Sequence, residues 1–158
     1  MPDTSDIGVH LTSMEDHHSV ALSQRQRDEI LLTNPTLPPF TADLPFFVIL
    51  LRAGEAIACG GLRPLEENNI EHLAEIKRVY VLPEARGRAQ GVADFLMGQL
   101  ESHALARGWT TIRLQTSRNM VVANRFYERH GYCLVPNYGE YVDCQVTISY
   151  EKNLGLDS

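Results

Sequence analysis

The sequence lacks the features that mark secreted and membrane proteins. Its three cysteines, Cys59, Cys133 and Cys144, are odd in number, lie far apart and show no C-x-x-C spacing, which suits a reducing cytoplasm. The first residues read MPDTSDIG and have neither the basic start nor the apolar core of a signal peptide. No apolar run approaches the length of a membrane span. We therefore expect a soluble cytoplasmic protein with no membrane partner.

The chain also lacks an excess of positive charge. It has 14 Lys and Arg residues against 20 Asp and Glu residues, and its formal net charge is −6. A negative global field gives no attraction to nucleic acid, so no nucleic-acid partner is expected and any polyanionic ligand needs a local basic pocket. The six histidines contain no H-x-x-x-H pair, and no metal site is expected.

What is present is a stretch, from Glu75 to Arg107, that is typical of a strand, an anion-binding loop and a helix. Free N–H groups in the first turn of a helix, together with the positive end of its dipole, favour a phosphate there. Arg86 and Arg88 supply charge, while Gly87 and Gly91 allow the backbone to approach a ligand closely. The P-loop and G-x-G-x-x-G signatures are both absent. A structural turn before an ordinary helix is the alternative.

The order of elements predicts one mixed α/β domain over residues 7–154, with tails at 1–6 and 155–158. The segment 36–45 holds three prolines and is expected to be a surface loop, at which an acceptor-binding wall could form, although its sequence specifies no chemistry. The first predicted elements are a strand over 7–11 and a helix that is capped by Thr12 and Glu15 and reaches Leu32; division of this tract into two helices at its polar centre, SQRQRDE, is the alternative. They are followed by a hairpin of strands 46–51 and 57–62, a turn at 66–69, a strand over 76–81 and a helix from Gly91 to Gly108. The remaining elements are a strand over 111–116, a helix capped by Ser117 and reaching His130, and two closing strands, of which 142–150 alternates with period two.

Two motifs carry a resemblance to a known family. The segment VYVLPEARGRAQGVADFLMGQLESHALARG closely resembles the acetyl-CoA-binding motif of the GNAT (N-acetyltransferase) superfamily, in which V-x-P-x-x-R-G-x-G-x-G/A precedes a long helix. Downstream, VVANRFYERHGY resembles the A-x-x-x-Y-E-x-x-G-[YF] helix of that superfamily. The two motifs have the expected order, and the resemblance covers the chain from about Ile7 to Leu154. EIKRVYVLPEARGRAQG and YGEY further resemble a bacterial subgroup whose acceptors are mostly unassigned.

The resemblance implies a GNAT-like fold, with a mixed sheet of six or seven strands flanked by helices on both faces. It implies an acetyltransferase that uses acetyl-CoA and acetylates a primary amine by direct attack in a ternary complex. A small molecule or an amino acid is the expected acceptor. The alternatives are a catalytically silent acyl-CoA-binding module and acetylation of a protein N-terminus or lysine. Homodimer formation is left open.

The resemblance also assigns the cofactor to the strand backbone and the loop. Ala89 replaces the usual middle glycine of the motif, and Gln90 replaces a buried aliphatic residue. Asn119 and Asn124 open the second motif helix, and either amide could bond the pantetheine carbonyls; a helix cap and a solvated face are the structural alternatives. The implied cofactor-binding residues are Val79, Tyr80, Val81, Arg86, Gly87, Arg88, Ala89, Gln90, Gly91, Val92, Asn119 and Asn124.

Two residues are the candidates for catalysis. Tyr127 occupies the position at which members of the family frequently have a general acid. A phenol suits this role because it can donate a proton and stays neutral at pH 7. Glu75 occupies a position at which some members carry a carboxylate base, and alternation places Lys77, Val79 and Val81 on the same strand face. The alternative for Tyr127 is a core aromatic. The alternatives for Glu75 are a solvated strand glutamate and a simple ion pair with Lys77. The YGEY segment at 138–141 is expected either to border the acceptor or to form a simple turn.

Overall fold

The computed structural model describes residues 2–35, 44–66 and 71–155. Its helices and strands follow the order expected from the sequence. They are β1 Ile7–Thr12, α1 His17–Leu31, β2 Phe46–Arg52, β3 Glu55–Pro64, β4 Leu73–Val81, α2 Val92–Ala106, β5 Thr111–Ser117, α3 Val121–Arg129, β6 Cys133–Val135 and β7 Thr147–Asn153, with short 3₁₀ turns at Pro83–Ala85 and Gly139–Tyr141.

The strands form a seven-stranded sheet in the order β1-β2-β3-β4-β5-β7-β6. β1 pairs antiparallel with β2, β2 with β3, β5 with β7, and β6 with β7. β4 and β5 pair in parallel through residues 73–75 and 111–113. A parallel pair requires a crossover connection, and α2 lies in the connection between these strands. The prediction of a mixed α/β fold with six or seven strands is confirmed.

The chain divides into two compact units, each with its own set of buried side chains. Unit one consists of Met1–Arg63 and Arg78–His103, and unit two of Pro64–Lys77 and Ala104–Ser158. The buried apolar residues of unit one include Phe47, Val48, Leu50, Leu62, Val92, Leu96, Met97 and Leu100. Those of unit two include Leu73, Ala74, Ile76, Ile112, Leu114, Tyr127, Tyr132 and Tyr150.

The predicted hairpin of β2 and β3 is confirmed. Its turn consists of two residues with left-handed backbone conformations. Ala53 and Gly54 both have positive φ angles, 51° and 80°. Two consecutive positive φ angles match the right-handed twist of the flanking strands. The register pairs Arg52 with Glu55 across this turn.

The start of α1 differs from the prediction. The N-cap is Asp16, whose Oδ1 accepts a hydrogen bond from the N–H of His18 at 2.8 Å. Thr12 remains in β1, and its hydroxyl donates to Asp16 Oδ2 at 3.2 Å. The predicted capping box of Thr12 and Glu15 is therefore wrong, because an aspartate closer to the helix supplies the acceptor.

The start of α3 also differs. The helix begins at Val121 after Met120, which makes no side-chain cap. Ser117 is the last residue of β5, and its hydroxyl accepts from the N–H of Asn119 at 3.2 Å. The Ser117 side chain thus closes a local turn rather than capping the helix. The predicted end of the helix is confirmed, since Gly131 follows it with φ +90°.

The closing strand is shorter than the alternation suggested. β7 begins at Thr147, and the preceding residues form turns in which Val142 and Val146 are exposed. Asn137 Nδ2 donates to the carbonyls of Cys144 at 3.2 Å and Thr147 at 2.9 Å. This amide takes up carbonyls that a strand partner would otherwise use. The prediction of a strand from residue 142 is therefore wrong.

Two sequence predictions fall mainly outside the described residues: the acceptor wall at 36–45, of which 36–43 lie outside, and the turn at 66–69, of which 67–69 lie outside. Within the described ranges, the helices are too short or too polar to cross a lipid bilayer. The same ranges contain no group of three or more His, Cys, Asp or Glu side chains that could hold a metal ion.

Candidate active site

The candidate residues fall into two groups, one in each compact unit. Unit one contains the end of β4 at 79–81 and the loop from Arg86 to Val92. Unit two contains Glu75, together with Asn119, Asn124 and Tyr127.

The loop before α2 presents unused backbone donors. A 3₁₀ turn at Pro83–Ala85 is followed by Gly87, whose φ is +112°, a conformation that residues with a side chain rarely adopt. The N–H groups of Gly87, Arg88 and Ala89 have no hydrogen-bond acceptor within the described part of the chain. Because these donors lie just before the N-terminus of a 15-residue helix, they form a site suited to an anion.

Gly91 joins the loop to the helix. Its carbonyl accepts from the N–H of Phe95 at 3.0 Å, so Gly91 begins the hydrogen bonding of α2, as the sequence predicted. Its φ is +68°, and an added Cβ would lie 2.7 Å from Cβ of Pro2. The glycine therefore permits both the left-handed conformation and the packing of the N-terminal segment.

Ala89 fits the loop without backbone strain. Among the described non-glycine residues, only Ala53, His72 and Arg78 have positive φ angles. Ala89 is thus not in the left-handed region, in which a methyl group would be costly. The methyl group of Ala89 therefore brings no left-handed backbone strain to the loop.

Gln90 fastens the loop from within. Its Nε2 donates to the carbonyls of Glu84 at 3.0 Å and Arg86 at 3.1 Å. Its Oε1 accepts from Nη1 of Arg52 at 3.4 Å, and Arg52 also forms an ion pair with Asp6 at 3.0 Å. A polar residue at this position therefore holds the loop by hydrogen bonds, in place of the apolar packing of an aliphatic residue.

The two loop arginines have different environments. Arg86 Nη2 donates to Glu29 Oε2 at 2.8 Å, and Arg86 Nε donates to the carbonyl of Val81 at 2.8 Å. The hydrogen bond from Arg86 holds the pKa of Glu29 below its usual value, and the same bond raises the pKa of Arg86. Arg88 is exposed and forms no ion pair with any residue that the structure describes. Arg88 is thus the loop arginine whose charge is available to a ligand.

Helix α1 contacts the strand segment that precedes the loop. Gln26 Nε2 donates to the carbonyl of Val79 at 3.1 Å. The hydroxyl of Tyr80 donates to Glu29 Oε2 at 2.8 Å, and the Tyr80 ring is buried. Burial, reinforced by the hydrogen bond to Glu29, raises the pKa of Tyr80. The backbone at 79–81 is therefore held by side chains of α1 as well as by the sheet.

Strand β4 contains an irregular residue between its two halves. Arg78 has φ +58°, and its carbonyl accepts from Cys59 Sγ at 3.6 Å. The strict alternation that placed Glu75, Lys77 and Val79 on one face is interrupted at this residue. Left-handed conformations of bulky residues are costly and occur preferentially at functional sites.

Glu75 is a buried carboxylate with a defined partner. Its side chain is only 1% exposed, and its Oε2 accepts from the hydroxyl of Tyr138 at 2.7 Å. Lys77 Nζ lies 3.8 Å from Oε1, at the limit of an ion pair. Tyr138 is itself fixed, since the Arg113 guanidinium lies 5.1 Å from its ring centre and Gln115 Nε2 donates to its carbonyl at 2.9 Å. The solvated glutamate offered as an alternative is excluded.

The YGEY segment is a 3₁₀ turn, but its two tyrosines differ. Tyr138 is buried and contacts Glu75, whereas Tyr141 is 39% exposed. The sequence marked this segment without revealing the link to Glu75. The turn therefore contributes directly to the environment of the candidate base.

Tyr127 lies on α3 in a cluster of aromatic rings. Its ring centre is 6.1 Å from those of Tyr132 and Tyr150, and 5.6 Å from that of Phe126. Burial raises the pKa of Tyr127 to about 12. Its hydroxyl makes no hydrogen bond to the residues described. The ring thus packs as a core aromatic does, while its polar group remains available to a ligand.

The two asparagines also differ. Asn124 is buried, and its Nδ2 donates to the carbonyls of Ser117 at 3.1 Å and Arg118 at 3.4 Å. Its Oδ1 is buried and has no partner within the described ranges. Asn119 is exposed and does not cap the helix, since Met120 is the N-cap residue. Asn124 is therefore the better placed of the two to accept a hydrogen bond from a ligand.

Sequence reasoning missed three of these arrangements. Tyr138 lay in a segment already marked as unusual, so its ring could have been considered as a partner of Glu75. Gln90 was noted only as a departure from a motif. Glu29 lies in the polar tract SQRQRDE of α1, where no local pattern distinguishes it from solvated residues.

Comparison with known protein families supports the resemblance carried by the two motifs. A model of the acetyltransferase (GNAT) family matches residues 11–132, a range that includes both motifs. The matched range covers most of the chain and extends from β1 to the residue that follows Gly131. No curated protein sequence matches the chain.

Solved structures resemble the chain over more than nine-tenths of its length. A proposed acyl-CoA N-acyltransferase from Klebsiella pneumoniae is 29% identical with a TM-score of 0.76, over 94% of this chain and 97% of that one. An acetyltransferase from Streptococcus agalactiae is 17% identical with a TM-score of 0.71, over 93% and 99%. A GNAT family acetyltransferase from Elizabethkingia anophelis with acetyl-CoA bound is 15% identical with a TM-score of 0.68, over 96% and 100%.

Proposed function

The chain belongs to the acetyltransferase (GNAT) family, and we propose that it transfers the acetyl group of acetyl-CoA to a primary amine of a small molecule or amino acid. Family membership makes it an acyl-CoA-dependent acetyltransferase with acetyl-CoA as its cofactor. The observation that carries the proposal is the row of unused N–H donors at Gly87, Arg88 and Ala89, just before α2. Acetyl-CoA bound to the Elizabethkingia neighbour is consistent with this cofactor.

The loop is proposed to bind the pyrophosphate of acetyl-CoA. The backbone donors at 87–89 and the first turn of α2, beginning at Val92, take the phosphate oxygens, and Arg88 adds a mobile positive charge. Gln90 and Gly91 hold the loop in the binding conformation. Arg86 is not proposed as a direct phosphate ligand, because its guanidinium is engaged by Glu29 and its N–H donates to the carbonyl of Pro83 at 3.3 Å.

The pantetheine arm is proposed to align with the backbone at 79–81, whose peptide groups polarise the thioester carbonyl. Asn124 is also proposed to contact the pantetheine arm. Its Nδ2 already donates to the carbonyls of Ser117 and Arg118, so the predicted bond to a pantetheine carbonyl is replaced by one in which the unpartnered Oδ1 accepts from a pantetheine N–H. Asn119, being exposed, is a secondary contact at most.

The reaction needs two proton transfers besides the attack. The amine nitrogen attacks the thioester carbonyl carbon, the carbon–sulfur bond breaks, and the departing thiolate takes a proton. Tyr127 is proposed as the proton donor, since a phenol with a pKa of about 12 remains protonated throughout the neutral range.

Glu75 is proposed as the base that removes the proton of the amine, directly or through a water molecule. Its burial keeps it from bulk solvent, and the Tyr138 hydroxyl orients its carboxylate through Oε2. A carboxylate fixed in this way loses little conformational freedom when it accepts a proton. Attack is direct in a ternary complex, without an acetylated protein intermediate.

The acceptor is proposed to be cationic before it binds. The net charge of −6 favours the approach of an amine over that of an anionic substrate. We also propose a cytoplasmic location, because the three cysteines are free, as a reducing compartment would keep them.

The test is release of free thiol from acetyl-CoA in the presence of amino acids, polyamines, aminoglycosides and lysine-containing peptides. We expect at least one small amine to raise the rate well above that with acetyl-CoA alone. Stimulation by peptides alone would replace the small-molecule proposal with a protein acceptor. If no amine stimulates release while CoA still binds, the chain is a silent binding module.

A further inference from the structure

One carboxylate of α1 contacts both the strand and the loop that are proposed to hold acetyl-CoA. Glu29 Oε2 accepts a hydrogen bond from the hydroxyl of Tyr80 at 2.8 Å and another from Arg86 Nη2 at 2.8 Å. Tyr80 belongs to the end of β4, and Arg86 follows the 3₁₀ turn that opens the loop. A single oxygen therefore connects three segments of unit one.

The Arg86 side chain is held on several sides. Besides its bond to Glu29, its Nε donates to the carbonyl of Val81 at 2.8 Å. Its guanidinium carbon lies 5.5 Å from the ring centre of Tyr80. Two donors and one face of the guanidinium are thus used within the protein, which limits its freedom to form bidentate contacts with a phosphate.

A second residue of α1 acts on the same strand. Gln26, one turn before Glu29, donates to the carbonyl of Val79 at 3.1 Å. Side chains of α1 and Arg86 therefore contact three successive residues, 79–81, and these contacts lie outside the ladder of the sheet. They fix the backbone that is proposed to align the pantetheine arm.

We propose that Glu29 is a positioning residue for acetyl-CoA, and that Arg86 acts through Glu29 rather than as a phosphate ligand. The inference rests on the proposed role of this strand and loop in binding the cofactor. Glu29 sets the position of the Tyr80–Val81 backbone and the start of the loop together. It also neutralises Arg86, so that Arg88 is the loop arginine that meets the pyrophosphate.

The exposure of the Glu29 and Arg86 side chains indicates how much their ion pair contributes to the stability of the fold. The side chains of Glu29 and Arg86 are 40% and 43% exposed, and ion pairs of that kind add little to global stability. Tyr80 is buried and gives the carboxylate a fixed point of attachment. Loss of Glu29 should therefore change local geometry and ligand affinity more than the unfolding temperature.

The test compares CoA affinity, measured by titration calorimetry, in Glu29→Ala, Arg86→Met and the double variant. We expect each single substitution to raise Kd roughly tenfold, which corresponds to one lost charged hydrogen bond. The double variant should be no weaker than the worse single variant, because both break one network. Asp28→Ala is the matched control, since Asp28 is an exposed carboxylate of the same helix that accepts only from Gln24 among the described residues.

The alternative, in which Arg86 binds the phosphates directly, makes a different prediction. If Arg86 were a phosphate ligand restrained by Glu29, then Glu29→Ala would free it, and CoA would bind equally or more tightly with a steeper salt dependence. Additive losses in the double variant, or equal losses in Asp28→Ala and Glu29→Ala, would also overturn the proposal.

A truncated substrate separates the two roles further. S-acetyl-pantetheine lacks the pyrophosphate, so loss of a phosphate ligand would leave its kcat/KM unchanged. We expect Arg86→Met to lower kcat/KM for S-acetyl-pantetheine as well as for acetyl-CoA, because the strand at 79–81 loses its support. Tyr80→Phe, which removes one hydroxyl, should give a smaller loss of the same kind. An unchanged kcat/KM for S-acetyl-pantetheine in Arg86→Met would contradict the positioning role.

Failure of this inference differs from failure of the proposed function. If the wild-type chain does not bind CoA, the cofactor role of the loop is wrong and the inference fails with it. If the wild-type chain binds CoA and Glu29→Ala binds equally well, only the positioning role is wrong.

Discussion

Tyr127 combines a buried ring with a hydroxyl that no described residue binds. Tyr127→Phe should therefore remove a proton donor without breaking a hydrogen bond of the fold. We expect kcat to fall roughly a hundredfold, as for loss of a general acid, while the KM for acetyl-CoA and the unfolding temperature stay close to wild type. Steady-state kinetics with a good acceptor provide the measurement. An unchanged kcat would show that the ring serves packing alone.

The same residue gives a prediction for stability at high pH. Burial raises the pKa of Tyr127 to about 12, whereas an unfolded tyrosine has a pKa of about 10. The unfolded state therefore loses its proton first, so this contribution to stability is complete below pH 10 and is lost as the pH rises towards 12. Urea unfolding at pH 8 and pH 11 should show a smaller loss of stability in Tyr127→Phe than in wild type. Between these two pH values the difference should be about 1.4 kcal/mol, which is half of the roughly 2.7 kcal/mol that is lost once the pH exceeds 12.

At the scale of elements, the loop before α2 depends on its glycines. Gly87→Ala should reduce the free energy of unfolding by roughly 1 to 3 kcal/mol, because φ +112° is strained for alanine although no atom lies near the added Cβ. Gly98→Ala is the control, since Gly98 lies within α2, is exposed and has open space around it. That variant should gain up to about 1 kcal/mol. Equal effects of the two substitutions in urea unfolding would show that the loop tolerates other conformations.

The turn at 138–141 and strand β4 are coupled through one hydrogen bond. Glu75→Gln should lower kcat roughly a hundredfold if the carboxylate is the base. Tyr138→Phe should lower kcat less, because it disturbs the orientation of the carboxylate but leaves it in place. In the Glu75→Gln background, Tyr138→Phe should have no further effect on kcat, and this non-additivity is the decisive readout. Additive losses would indicate that Tyr138 acts independently of Glu75.

Elements with strong local signals were predicted well. The hairpin of β2 and β3, the helix that begins after Gly91 and the ends marked by Gly108 and Gly131 all follow from turn glycines and apolar runs. The starts of α1 and α3 were predicted less accurately. Asp16, and not Thr12, caps α1, and the Ser117 hydroxyl accepts a hydrogen bond within a local turn and does not cap α3. The closing strand was placed too early, since alternation at 142–146 reflects exposed side chains in turns, with Asn137 occupying the carbonyls.

At the scale of the whole molecule, the two motifs were sufficient to predict the family, the mixed sheet and the cofactor. The roles of individual site residues depend on contacts between positions far apart in the sequence. Glu29 and Arg86 are 57 residues apart, and Glu75 and Tyr138 are 63 apart. Neither pair leaves a periodic or spaced pattern, so local reasoning cannot find it. The assignments to Tyr127, Glu75 and the loop remain predictions for the experiments above.

The central claim is that the chain moves an acetyl group from acetyl-CoA to an amine. The most direct measurement follows the free thiol of CoA and the acetylated amine together, by thiol titration and mass spectrometry, with the wild-type protein and its best acceptor. We expect equal molar amounts of the two products and thiol release that depends on the amine. Thiol release that no amine raises above the protein-free rate would contradict it.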